Sequence, residues 1–99
     1  MLCWVRGDLN MATIIYVKCK VSRGFFGNEF YVVVGDSSAF VDNSNVKVDV
    51  EPDSGKQVEG QVLAYMVKEE SGRALIELPG QAVVGGLRTW VPKNLFASV

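Results

Sequence analysis

Ala39-Phe-Val-Asp-Asn-Ser-Asn-Val46 and Thr89-Trp-Val-Pro-Lys-Asn-Leu-Phe96 stand fifty residues apart and share one pattern: small, aromatic, Val, turn-former, polar, polar, spacer, apolar. Each copy follows a hairpin-like stretch, and each would return the chain to a sheet. The pattern predicts a small β-barrel built from two related halves. It says more about scaffold than about chemistry.

Working outward from these copies, the period of the apolar residues is two. Ile15, Val17, Cys19 and Val21 fall on one face of a strand and Tyr16, Lys18 and Lys20 on the other. After Ser22–Asn28 the alternation resumes over Glu29–Val34, and Gly35-Asp-Ser-Ser38 reads as a turn. Val46-Lys-Val-Asp-Val50 alternates with one buried face, and Glu51–Lys56 breaks the chain with nothing apolar left to bury. In the second half Val58–Val67 is a long strand. Gly60 near its start marks a bend or a close backbone approach. Lys68–Gly72 reads as a turn with Glu69 and Glu70 solvated at its tip, Arg73–Leu78 as the returning strand, and Gln81–Gly86 as a short apolar segment. Leu87–Val91 is a further strand, Pro92–Asn94 a turn or single 3₁₀ turn, and Leu95–Val99 the last strand. Six to eight short antiparallel strands with no helical stripe make an all-β barrel or small sandwich. Residues 1–99 form one domain, with 1–10 as an N-terminal extension because Met11-Ala-Thr-Ile-Ile-Tyr-Val17 reads like a start. That extension either adds a strand or stays loose; Trp4 between Leu2 and Val5 favours packing.

Val58-Glu-Gly-Gln-Val62, the hairpin over Ser71-Gly72, Ala74–Leu78 and Trp90–Phe96 together resemble the SH3-like barrel. In that fold a long hairpin is followed by a short turn and a closing strand. The resemblance covers about 40 residues and implies a groove between the first long loop and the turn before the closing strand, which would gather Phe25, Phe26, Tyr31 and Trp90. Gly60-Gln-Val-Leu63 and Val91-Pro92 are also similar to the plasmid-borne type II dihydrofolate reductases, tetramers of SH3-like barrels around a pore. That family reads its substrate with Val-Gln-Ile-Tyr before its Pro. Arg88-Thr-Trp-Val91 stands here, with Thr89 and Val91 at the Gln and Tyr positions, so the activity does not carry over.

The inventory for catalysis is thin and leans away from an enzyme. The 99 residues include no His, which removes His-based acid–base chemistry and His-ligated metals. Cys3 and Cys19 are too few for a Cys₄ zinc site, and Cys19 lies on an apolar strand face where a thiol is inert. Asp49-Val-Glu-Pro-Asp53 departs from a calcium loop, since Pro52 stiffens it and the twelfth position is Gly60. No cofactor and no metal are expected. Ten basic against eleven acidic residues give a net charge of −1, which disfavours nucleic acid as partner. No apolar run approaches the length of a membrane span, and two scattered cysteines suit a reducing cytoplasm.

Surface aromatics are the better lead. Phe25 and Phe26 sit between Arg23-Gly24 and Gly27-Asn28 in a hairpin loop, where an aromatic anchors in a partner's pocket or stacks on a base. One of the two is expected to fold back and cap the barrel. Lys18, Lys20 and Arg23 would add a basic strip beside them, which keeps single-stranded nucleic acid as a third reading. Ile14–Val17 and Phe30–Val34 are apolar on both faces, more than one small interior holds. The chain is therefore expected to be a homo-oligomer, most simply a two-fold dimer. The leading expectation is a non-enzymatic, oligomeric binding module for a protein, peptide or small ligand, using Phe25, Phe26, Tyr31 and Trp90. The rival is a small-molecule binder or enzyme whose site, shared between subunits, is lined by Arg88, Thr89 and Lys93.

Overall fold

The period-two reading translates directly into burial. In the first strand Val17, Cys19 and Val21 are buried while Lys18 and Lys20 are exposed. The computed structural model describes residues 13–97. They form strands β1 (Thr13–Arg23), β2 (Glu29–Val34), β3 (Ser37–Asp42), β4 (Val46–Val48), β5 (Val58–Glu70), β6 (Arg73–Glu77), β7 (Gln81–Val84) and β8 (Arg88–Pro92). Two single 3₁₀ turns, η1 (Asn43–Asn45) and η2 (Lys93–Leu95), complete the described residues. All strand pairs are antiparallel, in the order β7-β3-β2-β1-β5-β6-β8, with β4 on the stretch of β5 that β6 leaves free. The sheet curls into a half-barrel around a core of valines with Ile76, Leu78, Ala39, Ala64 and Ala74.

The two octapeptides occupy equivalent places about a pseudo-dyad. β1 and β5 pair from Thr13↔Met66 to Val21↔Val58, centred on Val17↔Val62. From that centre each strand leads through a hairpin into one octapeptide. Ala39 and Val41 of β3 point into the core as Thr89 and Val91 of β8 do, with Phe40 and Trp90 facing outward between them. η1 and η2 then follow, and Val46 pairs with Val62 just as Phe96 bridges Val17. The octapeptides stand further apart than Val17 and Val62 because the connection from β6 to β8, which carries β7, is longer than the turn from β2 to β3.

Gly60 marks the close approach its position predicts. It is sandwiched between Cys19 of β1 and Val48 of β4, and a Cβ there would lie 2.7 Å from Val21 Cγ2 and 2.9 Å from the Lys47 carbonyl.

Several boundaries differ from expectation, each for a physical reason. Ser37 and Ser38 are not turn residues but the buried start of β3, paired with Val34 and Val33; the turn is Gly35-Asp36, with Gly35 at φ +56°. Small side chains fit that crowded strand, and the Ser37 hydroxyl donates to the Gly85 carbonyl. Lys68–Glu70 belong to β5, so the hairpin turn is Ser71-Gly72 alone. This end of the ribbon is wet, and its charges are ion-paired rather than marks of a loop: Glu70 with Lys68 on the same strand and with Arg73 across the ribbon, both at 3.4 Å, and Glu69 with Lys93 of η2. Val50 stands 67% exposed beyond the end of β4, and Pro52 in the following segment is buried. Of the expected strand at 95–99, Leu95 ends η2 and Phe96 makes a single bridge; Val99 and the extension 1–10, with Cys3 and Trp4, lie outside the described residues. No helix among the described residues is long and apolar enough to cross a membrane.

Candidate functional site: an aromatic loop over the barrel mouth

The loop Gly24–Asn28 between β1 and β2 is closed by hydrogen bonds from the Gly24 amide to the Glu29 carbonyl and from the Glu29 amide to the Phe26 carbonyl. The Glu29 carboxylate also accepts from the Phe25 amide at 3.2 Å. Thus braced, the loop holds Phe25 84% and Phe26 70% exposed. Neither is buried as a cap of the barrel. Phe25 instead leans on Phe40 of β3, with ring centroids 5.2 Å apart, and Phe40 meets Tyr31 of β2 at 5.4 Å. Tilted rings at these distances gain from their quadrupoles as well as from contact. Phe25, Phe40 and Tyr31 therefore make one outward platform, with Phe26 free at its tip.

Beside the platform, a cleft of about 380 Å³ opens at the barrel mouth between this loop and the segment around residues 51–55. Arg23, Phe26 and Phe30 line one side, and Glu51 and Ser54 the other. Asp42 stands across from Glu29 in the β2–β3 ladder. Its carboxylate accepts from the Ser44 amide and hydroxyl, which hold its pKa below the ordinary value and fix the start of η1.

The remaining expected site residues fall elsewhere. Trp90 faces outward on β8, on the far side of β1 and β5 in the sheet order, and the Arg73 guanidinium sits 4.3 Å from its ring centroid. Thr89 is 8% exposed and lies in the inward row of β8. Arg88 is tied to Glu77 at 2.8 Å and Lys93 to Glu69. The basic strip does not form. Arg23 lies in the inward row with Phe30 and Val41, whereas Lys18 and Lys20 face outward and Lys20 pairs with Glu59. Phe40, Glu29 and Glu51 are site residues that the loop sequence alone did not single out. Phe40 carried a signal in the repeat itself, as the outward aromatic between two buried residues.

Comparison with known families, characterised proteins and solved structures finds no match to this chain.

Cys19 is the described thiol, and it is buried. Desolvation first, and Glu59 second, push its pKa up from 9.0 to about 12. The native thiol is thus protonated and unreactive at pH 8. Alkylation of the native protein at that pH is expected to leave the Cys19 peptide unmodified by mass spectrometry, and denaturation to expose it. Because the unfolded thiol ionises near 9.0 and the folded one does not, the unfolded state binds fewer protons above pH 9. Stability should therefore fall between pH 9 and about 12, by up to ~1.4 kcal/mol per pH unit from this group.

Proposed function

We propose that the protein is a non-enzymatic binding module on an SH3-like barrel, self-associating and cytoplasmic, that grips a protein or peptide partner through Phe25 and Phe26. One observation carries the reading: a glycine-bounded loop, braced by Glu29, keeps two adjacent phenylalanines in water above a cleft. Leaving two large rings exposed forgoes roughly 1.5–3 kcal/mol of burial each, which an intramolecular role would have recovered. The passage from β8 through η2 to the Phe96 bridge on β1 supports the SH3-like assignment, since it returns the chain after Val91-Pro92 by a short turn. The inward Thr89 and the ion-paired Arg88 and Lys93 count against a shared small-molecule site on residues 87–93. Carboxylates of Glu29, Asp42 and Glu51 around the loop count against nucleic acid, whose phosphates they would repel.

A displayed library of 12-residue peptides panned on the protein tests the reading, with Phe25→Ser/Phe26→Ser as the counter-target. Enriched peptides should bind the double variant at least tenfold more weakly. Peptides that bind both proteins equally would place recognition elsewhere. Phe26→Ala should change stability by no more than ~0.5 kcal/mol, because its ring is mostly solvated. A chemical-denaturation midpoint checks this, and a loss of several kcal/mol would make Phe26 a core residue.

A further inference from the structure

We infer that the outward platform of Phe25, Tyr31 and Phe40 takes an arginine of the partner, its guanidinium stacked on the rings and paired with the carboxylates of Glu29 and Asp42. The bound segment is therefore basic. This rests on the peptide-binding reading above and names the chemistry of what is bound. Across the pseudo-dyad the two outward aromatics have different neighbours. In the second half Trp90 of β8 lies opposite Leu75, and Arg73 lies opposite Pro92, two residues along on the same face. The Arg73 guanidinium covers the Trp90 ring at 4.3 Å. In the first half Phe40 lies opposite Tyr31, and Glu29 lies opposite Asp42. Glu29 thus stands where Arg73 stands, and Asp42 where Pro92 stands. One half supplies its own guanidinium to its aromatic; the half that carries the exposed phenylalanine loop has two carboxylates in that place.

Those carboxylates set a demand that no described cation meets. Like charges directly opposite in a ladder repel, and among the described residues neither Glu29 nor Asp42 has an ion-pair partner. Arg23 lies opposite Phe30 in the inward row, on the other face of the sheet. Hydrogen bonds fix both carboxylates in place: Glu29 Oε2 accepts from the Phe25 amide, and Asp42 Oδ1 from the Ser44 amide and hydroxyl. Among the described residues the second oxygen of each, Oε1 and Oδ2, accepts no hydrogen bond. A guanidinium suits this arrangement, since its plane stacks on an aromatic face while its forked N–H groups reach carboxylate oxygens at its edge. An ammonium offers only a point charge. Within the chain itself the same attraction holds Arg73 on Trp90 and Lys47 over the Tyr16 ring at 4.0 Å.

The test takes the peptides enriched from the 12-residue displayed library on wild type and measures them against Glu29→Gln/Asp42→Asn. That variant keeps both hydrogen-bond acceptors and removes both charges, and circular dichroism confirms that it folds. The enriched peptides are expected to carry arginine and to bind the neutral variant at least about tenfold more weakly. Replacing the peptide's own arginine by glutamine should cost as much on wild type, a measurement that does not depend on how the variant folds. Peptides that lack arginine, that tolerate its replacement, or that bind the neutral variant as tightly overturn the arginine inference. If those peptides still lose affinity for Phe25→Ser/Phe26→Ser, the aromatic grip stands without it. Peptides that bind the double serine variant as tightly as wild type overturn both.

Discussion

Val91→Asp is expected to abolish the folded state. Val91 lies fully inside the core, paired with Ala74 of β6, and its surroundings are valines, Ile76 and Leu78. A carboxylate there finds no cation, so the substitution loses the buried apolar surface and adds an uncompensated charge, about 4–6 kcal/mol in all. A domain of this size has only about 5–15 kcal/mol to lose. At roughly 4–8 °C per kcal/mol the melting transition should drop by at least ~16 °C or vanish. Far-UV circular dichroism with a thermal scan reads this directly. A variant that melts within about 5 °C of wild type would show that residue 91 is not core.

Gly60→Val should come close in effect by the opposite route, overfilling. β5 is hydrogen-bonded on both edges at Gly60, to β1 and to β4, and both neighbours crowd the missing side chain. Even a methyl group would sit 2.9 Å from Val48 Cγ1 and from the Lys47 carbonyl, and one of those is backbone. A full valine side chain must displace β4 or spread β1 from β5, at about 3 kcal/mol. Urea unfolding should show the midpoint falling, and amide exchange should quicken first at Val46–Val48. An unchanged midpoint would mean that β4 is loosely held.

These two positions also show how much of the fold was legible in the sequence. Val91 and Gly60 could be read because their signals are local: a Val between outward residues, and a glycine inside an alternating strand. The octapeptides gave the pseudo-dyad for the same reason, since a turn and its flanking strands are written within eight residues. Ser37-Ser38 and Lys68–Glu70 were misread because their partners decide them. Two serines become strand when Val33 and Val34 lie opposite, and three charged residues stay in a ribbon when Arg73 and Lys93 answer them. The site followed the same division. The glycines marked Phe25-Phe26 as a loop, but the expectation that one ring would cap the barrel failed, and the packing of Phe25 on Phe40 depends on a β2–β3 register that no local pattern specifies. Trp90, grouped with that loop by resemblance, belongs to the opposite half.

The Val46–Val62–Val17–Phe96 row across the pseudo-dyad sets the order in which the molecule can be made. The partner of the long edge of β1 is β5, with Val17 opposite Val62 far along the chain, and its other central contact, Phe96, is more distant still. Pairings this distant in sequence demand loop closure before they return any stability. The β1–β2 and β2–β3 hairpins are local, whereas the central row is complete only when β5 and Phe96 have joined it, so the most distant pairings come last.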